Sequence, residues 1–463
     1  MLYKSTRGAS PEIPFSEVLL SGLAPDGGLY IPISLPFYDV DHIDTFKDLS
    51  YSSLASKVLF PFVEEEIEEK EFQKLVEDSY SIFEDEEVVK LVSLRENLSL
   101  LELFHGPTLA FKDVAMQLLG TLLNHFSEKN NSKIAVLGAT SGDTGSAAIA
   151  ACSRYKNVDI FILYPNGMVT DIQRKQMTTS GSSNVHALAI DTDFDGCQEI
   201  VKALFLDKNI NDSNTKLIAA NSINWTRCMT QCVYFFWAYL KLKYKVDKPT
   251  FSIPSGNFGH AYAGWLAKKM GLPIERLLIA TNKNDVLHKM LTENVYSKSQ
   301  VHRTLAPSMD ISIASNFERL LYNLFDDNSN KVKNLMNSFP ARDVSLPDKE
   351  LATLRSFFSS YSSSDSEIIG EIRSIYHSNN ILLDPHTATG TRTANQISRT
   401  DEHVVSMATA HPAKFIEAIN QSLPGLAIDD VHQLKGIEEQ KESFITIPND
   451  LIKVREYIKN NLS

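Results

Sequence analysis

Cysteine is scarce in this chain. Only Cys152, Cys197, Cys228 and Cys232 occur in 463 residues, and no two form the C-x-x-C pair that holds zinc or cycles a disulfide. They read as buried thiols in a reducing compartment; no metal site is expected. Long apolar runs are also missing. The longest, Cys232–Leu240, falls well short of the ~18 residues that argue a membrane span, and the opening MLYKSTRGASPE lacks the apolar stretch of a signal peptide. A cytoplasmic protein with no membrane partner is expected. Basic charge is in deficit too, with 45 Lys and Arg against 57 Asp and Glu. Nucleic acid is therefore disfavoured as a partner, because neutralising phosphates takes a basic stripe. Acidic runs such as 64–69 read as solvated helix faces. No internal repeat is found.

What is present describes an ordinary globular protein, 43% hydrophobic and 22% charged. Its length allows two or three domains. From about residue 130, β-branched runs alternate with amphipathic segments: KIAVLGAT then SGDTGSAAIAACSRY, VDIFILYP, VHALAID then DFDGCQEIVKALF. The rhythm resumes with TFSIPSG, RLLIATN and VVSMATA, each followed by a helical pattern. Such alternation predicts an α/β protein with parallel sheets, and two wound sheets fit better than one. Residues 1–95 lack the rhythm, are punctuated by Pro32 and Pro36, and read as a separate cap. The stretch from about 314 to 379 reads as a mostly helical, polar, serine-rich insertion, and 426–463 as a helical extension.

Two glycine loops each follow a predicted strand and open a predicted helix, where free N–H groups and the helix dipole attract anions. They are GATSGDTGSAA (138–148) and SGNFGHA (255–261). Gly138, Gly142 and Gly145 are spaced much as in dinucleotide-binding turns, and a Y-x-x-x-K pair exists at Tyr239 and Lys243, so an NAD(P)-dependent oxidoreductase is one reading. The second loop is left unexplained by it. In ELFHGPTLAFKD (102–113), Lys112 lies among apolar and small residues that would lower its pKa and suit a Schiff-base former. Locally it reads equally as a surface lysine at a helix start. His105, Asp113 and Lys175 are weaker candidates, and Cys228 and Cys232, one helical turn apart, read as core.

HGPTLAFKD, GATSGDTGSAA, NSINWTR, PSGNFGH and ATAHPAKF occur in this order, and together they resemble the threonine synthases of bacterial and fungal type. The N-terminal YKSTRG and GLAPDGGLYIP are similar to that family's first domain, so the likeness spans nearly the whole chain. It implies two wound β-α-β domains of the pyridoxal-phosphate (PLP) fold type II, like the tryptophan synthase β chain, with an additional N-terminal domain. The expected boundaries are 1–95, 96–425 and 426–463. The resemblance implies PLP held by Lys112 as a Schiff base, with Gly256, Asn257, Phe258 and His260 around its phosphate and Thr409 at its ring nitrogen. It also implies Thr140, Ser141, Asp143 and Thr144 by the substrate carboxylate, and Asn221, Ser222 and Arg227 on the substrate phosphate. Asp143 departs from the asparagine common in the wider fold family, and an ionised aspartate accepts hydrogen bonds but donates none. The DPHTATG run (384–390) resembles a further family motif whose side chains brace the site. The reaction implied converts O-phospho-L-homoserine and water to L-threonine and phosphate in a monomer or homodimer. A PLP phospho-lyase or dehydratase giving 2-oxobutyrate shares the same motifs and stays open as the alternative.

Overall fold

The computed structural model describes residues 1–207, 215–428 and 431–462; Ser463 and positions 429–430 of the expected C-terminal extension lie outside them. Strands β1 (Leu2–Ser5), β2 (Ile13–Pro14) and β3 (Tyr30–Pro32) make a small antiparallel sheet in the order β2-β1-β3. Next come β4 (Lys90–Arg95), β5 (Leu98–Glu102), β6 (Lys133–Ala139), β7 (Val158–Pro165), β8 (Val185–Asp191) and β9 (Thr215–Ala219). After them follow β10 (Thr250–Pro254), β11 (Leu277–Thr281), β12 (Phe358–Ser362), β13 (Val404–Ala408) and β14 (Ile445–Pro448).

Two large sheets result, as the βα rhythm predicts. One is wholly parallel, in the order β14-β8-β7-β6-β9. The other runs β12-β11-β10-β13-β5-β4, parallel except for the β4/β5 hairpin. Val158–Pro165 is buried at all eight positions, the continuous apolar pattern of a parallel strand covered by helices on both faces. Crossing from β5 into the first sheet and back to β10 and β13 brings the carboxyl ends of β5, β6, β9, β10 and β13 to the site, where wound α/β sheets bind ligands.

The structure differs from the sequence reading in two places. The serine-rich stretch expected to be helical surface contains β12, which pairs in parallel with β11 from Leu277↔Phe358 to Thr281↔Ser362. The segment 426–463 is not only helical, for β14 extends the parallel sheet at β8 and the helix Leu451–Asn461 packs behind it. The N-terminal region, expected as a separate cap, packs directly onto the rest of the chain. Its Tyr3, Phe15 and Tyr51 rings meet Trp225, Phe126 and Trp237 at centroid distances of 6.1, 6.2 and 5.5 Å, inside one continuous apolar core. Cys228 and Cys232 are buried there, and all four cysteines are free.

Candidate active site

Lys112 opens the helix Lys112–Lys129 after the loop leaving β5. That loop is fixed before the lysine is reached. The Asp113 carboxylate accepts from the Thr108 N–H and hydroxyl at 2.8 and 2.7 Å, and Leu109 takes a left-handed φ of 59°. Phe111 N–H donates to the Thr409 carbonyl at 2.8 Å and His411 N–H to the Leu109 carbonyl at 3.0 Å. The lysine segment is thereby stitched to the end of β13. Lys112 is 8% exposed, and its Nζ donates to Asp143 Oδ2 at 3.1 Å and lies 3.5 Å from Ser308 Oγ. Burial, aided by the charges of Lys414 and Arg227, outweighs the attraction of Asp143 and lowers the lysine pKa.

Asp143 begins the helix Asp143–Cys152 after β6. Burial alone would raise its carboxyl, but Lys112 and Lys414, with hydrogen bonds from Lys414 and Gln173, hold it well below the usual range. Lys414 Nζ stands 2.8 Å from Oδ1 and Gln173 Nε2 donates to the same oxygen at 2.8 Å; Ser308 Oγ lies 3.3 Å from Oδ2. Asp143, expected beside the substrate carboxylate, thus has both oxygens engaged by donors of the chain itself. Thr140 Oγ accepts the N–H groups of Gly142 and Gly145, both at 2.9 Å, and closes the loop. Ser141 and Thr144 remain half-exposed beside it.

The glycines of this loop serve packing against the protein itself. A Cβ on Gly142 would stand 2.3 Å from Gln173 and one on Gly145 2.6 Å from Thr140. With an ionised carboxylate in the first helical turn, the loop is unsuited to the pyrophosphate of a dinucleotide. Lys243 forms an ion pair with Asp44, and Tyr239 is buried, so the Y-x-x-x-K pair is structural. His105 bonds Glu102 at 2.9 Å, and Lys175 belongs to the last turn of the helix Asp171–Thr178.

The second loop leaves β10 and opens the helix Gly259–Lys269 through Phe258 in the left-handed region, φ 63°. A Cβ on Gly256 would meet the Ser308 carbonyl at 3.1 Å and Met309 Cα at 3.3 Å, so bare backbone is what fits there. Asn257 is anchored from Asn316, whose N–H and Nδ2 donate to its carbonyl at 3.0 and 3.2 Å. The buried Ser255 Oγ and both ring nitrogens of His260 have no protein partner among the described residues. His260 stacks on Phe111 at 5.0 Å, and burial pushes its pKa down to about 3, so the ring is neutral.

Arg227 stands in the first turn of the helix Trp225–Leu242, beyond β9 and the half-buried Asn221 and Ser222. Its Nη1 donates to the Ala220 carbonyl at 3.2 Å, while Nε is buried without a partner among the described residues. Burial pushes the guanidinium pKa down to about 10. Buried donors left over on Arg227, Ser255 and His260 suit anions not supplied by the chain. A phosphate-bearing aldehyde cofactor such as PLP fits this set, with a buried amine of lowered pKa for the carbonyl and a bare-backbone turn at a helix N-terminus for the phosphate.

Sequence reasoning missed Lys414, Gln173 and Ser308, whereas Asp384 and His386 lie in the DPHTATG run expected to brace the site. Lys414 lay in view within ATAHPAKF, and its flanking Ala413 and Phe415 were the one available signal. Asp384 braces two walls. His386 Nδ1–H donates to it at 2.8 Å while Nε2 accepts the Ser308 N–H at 3.1 Å; the hydroxyl of Thr387, bonded to the same carboxylate, accepts the Thr409 N–H at 3.0 Å.

Three family models match: "Threonine synthase N terminus" over residues 2–80, "Pyridoxal-phosphate dependent enzyme" over 88–338, and "Threonine synthase, C-terminal" over 387–458. The chain is 45% identical to a threonine synthase of Pseudomonas aeruginosa, covering 100% of this chain and 98% of that one. It is 42% identical to a threonine synthase of Saccharomyces cerevisiae, with 92% and 90% covered. Among solved structures, a PLP-bound threonine synthase from Brucella melitensis superposes with a TM-score of 0.95 at 43% identity, covering 100% of this chain and 99% of that one.

Proposed function

Since the chain belongs to the threonine synthase family of pyridoxal-phosphate-dependent enzymes, we propose that it converts O-phospho-L-homoserine and water to L-threonine and phosphate, in the cytoplasm, as a monomer or homodimer. The observation that carries this reading is the pairing of a buried, pKa-lowered Lys112 with unpartnered buried donors on two separate loops, one for each of two phosphates.

Lys112 would hold the carbonyl carbon of PLP, with Gly256, Asn257, Phe258 and His260 around its phosphate and Thr409 at its ring nitrogen. When bound, PLP supplies an electron-withdrawing ring conjugated to the substrate nitrogen, which stabilises negative charge at the substrate Cα. The Lys112 amine takes a proton first from Cα and then from Cβ as general base, a task its lowered pKa suits. The Cβ–H electron pair becomes the Cβ–Cγ double bond as the Cγ–O bond to phosphate breaks, and protons return at Cγ and Cα while water adds at Cβ. Arg227, with Asn221 and Ser222, binds the γ-phosphate and stabilises it as it leaves; its planar fork matches phosphate better than an ammonium would. Ser141 and Thr144 receive the substrate carboxylate. Thr409 offers a neutral hydroxyl and so does not favour ring-nitrogen protonation as a carboxylate would.

Purified protein supplied with PLP and O-phospho-L-homoserine should release phosphate and threonine in equal amounts. Lys112→Ala should lower kcat by ~10²–10⁴-fold and abolish borohydride-stable labelling. Keto acid in place of threonine overturns the synthase reading in favour of a phospho-lyase.

A further inference from the structure

Asp143 carries two lysines, although one suffices to neutralise it. Lys414 is completely buried, its Nζ 2.8 Å from Asp143 Oδ1 and donating to the Thr108 carbonyl at 2.7 Å. It sits in the short turn Pro412–Lys414 just after β13. Taking an ammonium out of water costs several kcal/mol unless it is paired, and the one carboxylate it contacts among the described residues is already bonded to Lys112 on its other oxygen. We propose that Lys414 is a positioning residue that competes with Lys112 for Asp143, leaving the Lys112 amine free to lose its proton and bond the cofactor carbonyl. This rests on the reading of Lys112 as the cofactor lysine.

The electrostatic surroundings support the competition. Facing Lys112 are the Asp143 carboxylate, the Lys414 and Arg227 cations, the Ser308 hydroxyl and the Phe111 ring 5.1 Å from Nζ. Neutral His260 stacks on that ring. Around Lys414 stand Asp143, Asp113, whose carboxyl is raised to about 6 chiefly by burial, and His411, whose pKa burial lowers. With one carboxylate shared by two ammonium groups, neither lysine has an exclusive counter-ion. Removing the Lys414 charge would give Asp143 wholly to Lys112 and hold that amine protonated to higher pH. When Lys112 does become neutral, Lys414 keeps Asp143 ionised in a buried place.

The test is the pH dependence of PLP capture by apoenzyme, followed by the absorbance of the bound cofactor. In the wild type the capture midpoint should fall below the ordinary lysine value of about 10.4. Lys414→Met and Lys414→Gln should raise it by about one pH unit or more, and Lys414→Arg should leave it near wild type. A purely structural role would slow capture at every pH without moving the midpoint, and that outcome overturns the proposal. So does a wild-type midpoint at or above the ordinary value, a result that needs no variant to fold. Borohydride reduction and peptide mapping of the wild type separate the two readings. Label on Lys112 with an unmoved midpoint sinks only the role of Lys414, whereas label elsewhere sinks the cofactor assignment itself.

Discussion

At the scale of single residues, the site works by leaving polar atoms unsatisfied in places where burial makes that costly. His260 is the extreme case. Its folded pKa of about 3 lies below the ~6.5 of an unfolded histidine, so between those values the unfolded chain binds the extra proton. Stability therefore rises with pH across that window, is complete above about 6.5, and is lost on acidification by up to ~1.4 kcal/mol per pH unit from this group. His260→Asn, which cannot titrate, should make the apoprotein's stability less steep between about pH 6.5 and 3 by that amount. Urea unfolding at several pH values checks this, and parallel profiles for the two proteins would exclude it. Lys112 stood out in the sequence for its apolar and small neighbours, whereas Arg227 was reached only through the family resemblance of NSINWTR. Lys414 was not singled out, because its apolar flanks Ala413 and Phe415 hint at burial but not at a distant carboxylate. The surroundings of Asp143 were not legible in its own loop, since its charge is set by partners 31 and 271 residues away.

At the scale of elements, the distance between Lys112 and Asp143 depends on how closely their two helices pack. Gly120, two turns along the Lys112 helix, faces the last turn of the Asp143 helix, and a Cβ there would stand 2.6 Å from the Ala151 carbonyl oxygen. Backbone cannot swing aside as a side chain can. Gly120→Ala should cost about 1–3 kcal/mol despite the better helix propensity of alanine, and should weaken PLP binding by moving the helix starts apart. Chemical denaturation and cofactor titration measure the two effects. Unchanged stability would show that the helices have room to spare. Buried strands such as β7 were legible from their unbroken apolar runs. The edge strands were not. FSSYS in β12 has one buried residue of five, and ITIP in β14 also has one of four, so their strand character comes from the neighbours β11 and β8 and overrides local composition.

At the scale of the whole molecule, the N-terminal region is tied to the site through one cation. Arg319, fully buried, donates to the Tyr30 carbonyl of β3 at 3.1 Å, to the Ile223 carbonyl at 2.6 Å and to the Asn316 side-chain oxygen. Asn316 in turn holds Asn257 and the Ser222 carbonyl, at 3.2 Å each. The loops bearing both proposed phosphate contacts thus share a post with the first sheet. Arg319→Met should remove about 3 kcal/mol or more by taking the donor from the buried Tyr30 and Ile223 carbonyls and leaving Asn316 Oδ1 only the weak Cys228 thiol, and should lower affinity for cofactor and phosphorylated substrate together. Thermal unfolding and separate titrations test this, and loss of only one affinity would show the loops to be independent.

The place of β13 between β5 and β10 also has a consequence in time. β5 ends at Glu102, yet its partner in the register, Ala408, is made about 300 residues later. At ~5–20 residues per second of synthesis, the nascent chain carries that strand edge for about 15–60 s before its mate leaves the ribosome. Throughout that interval Lys112 has been translated, but the wall that buries it has not.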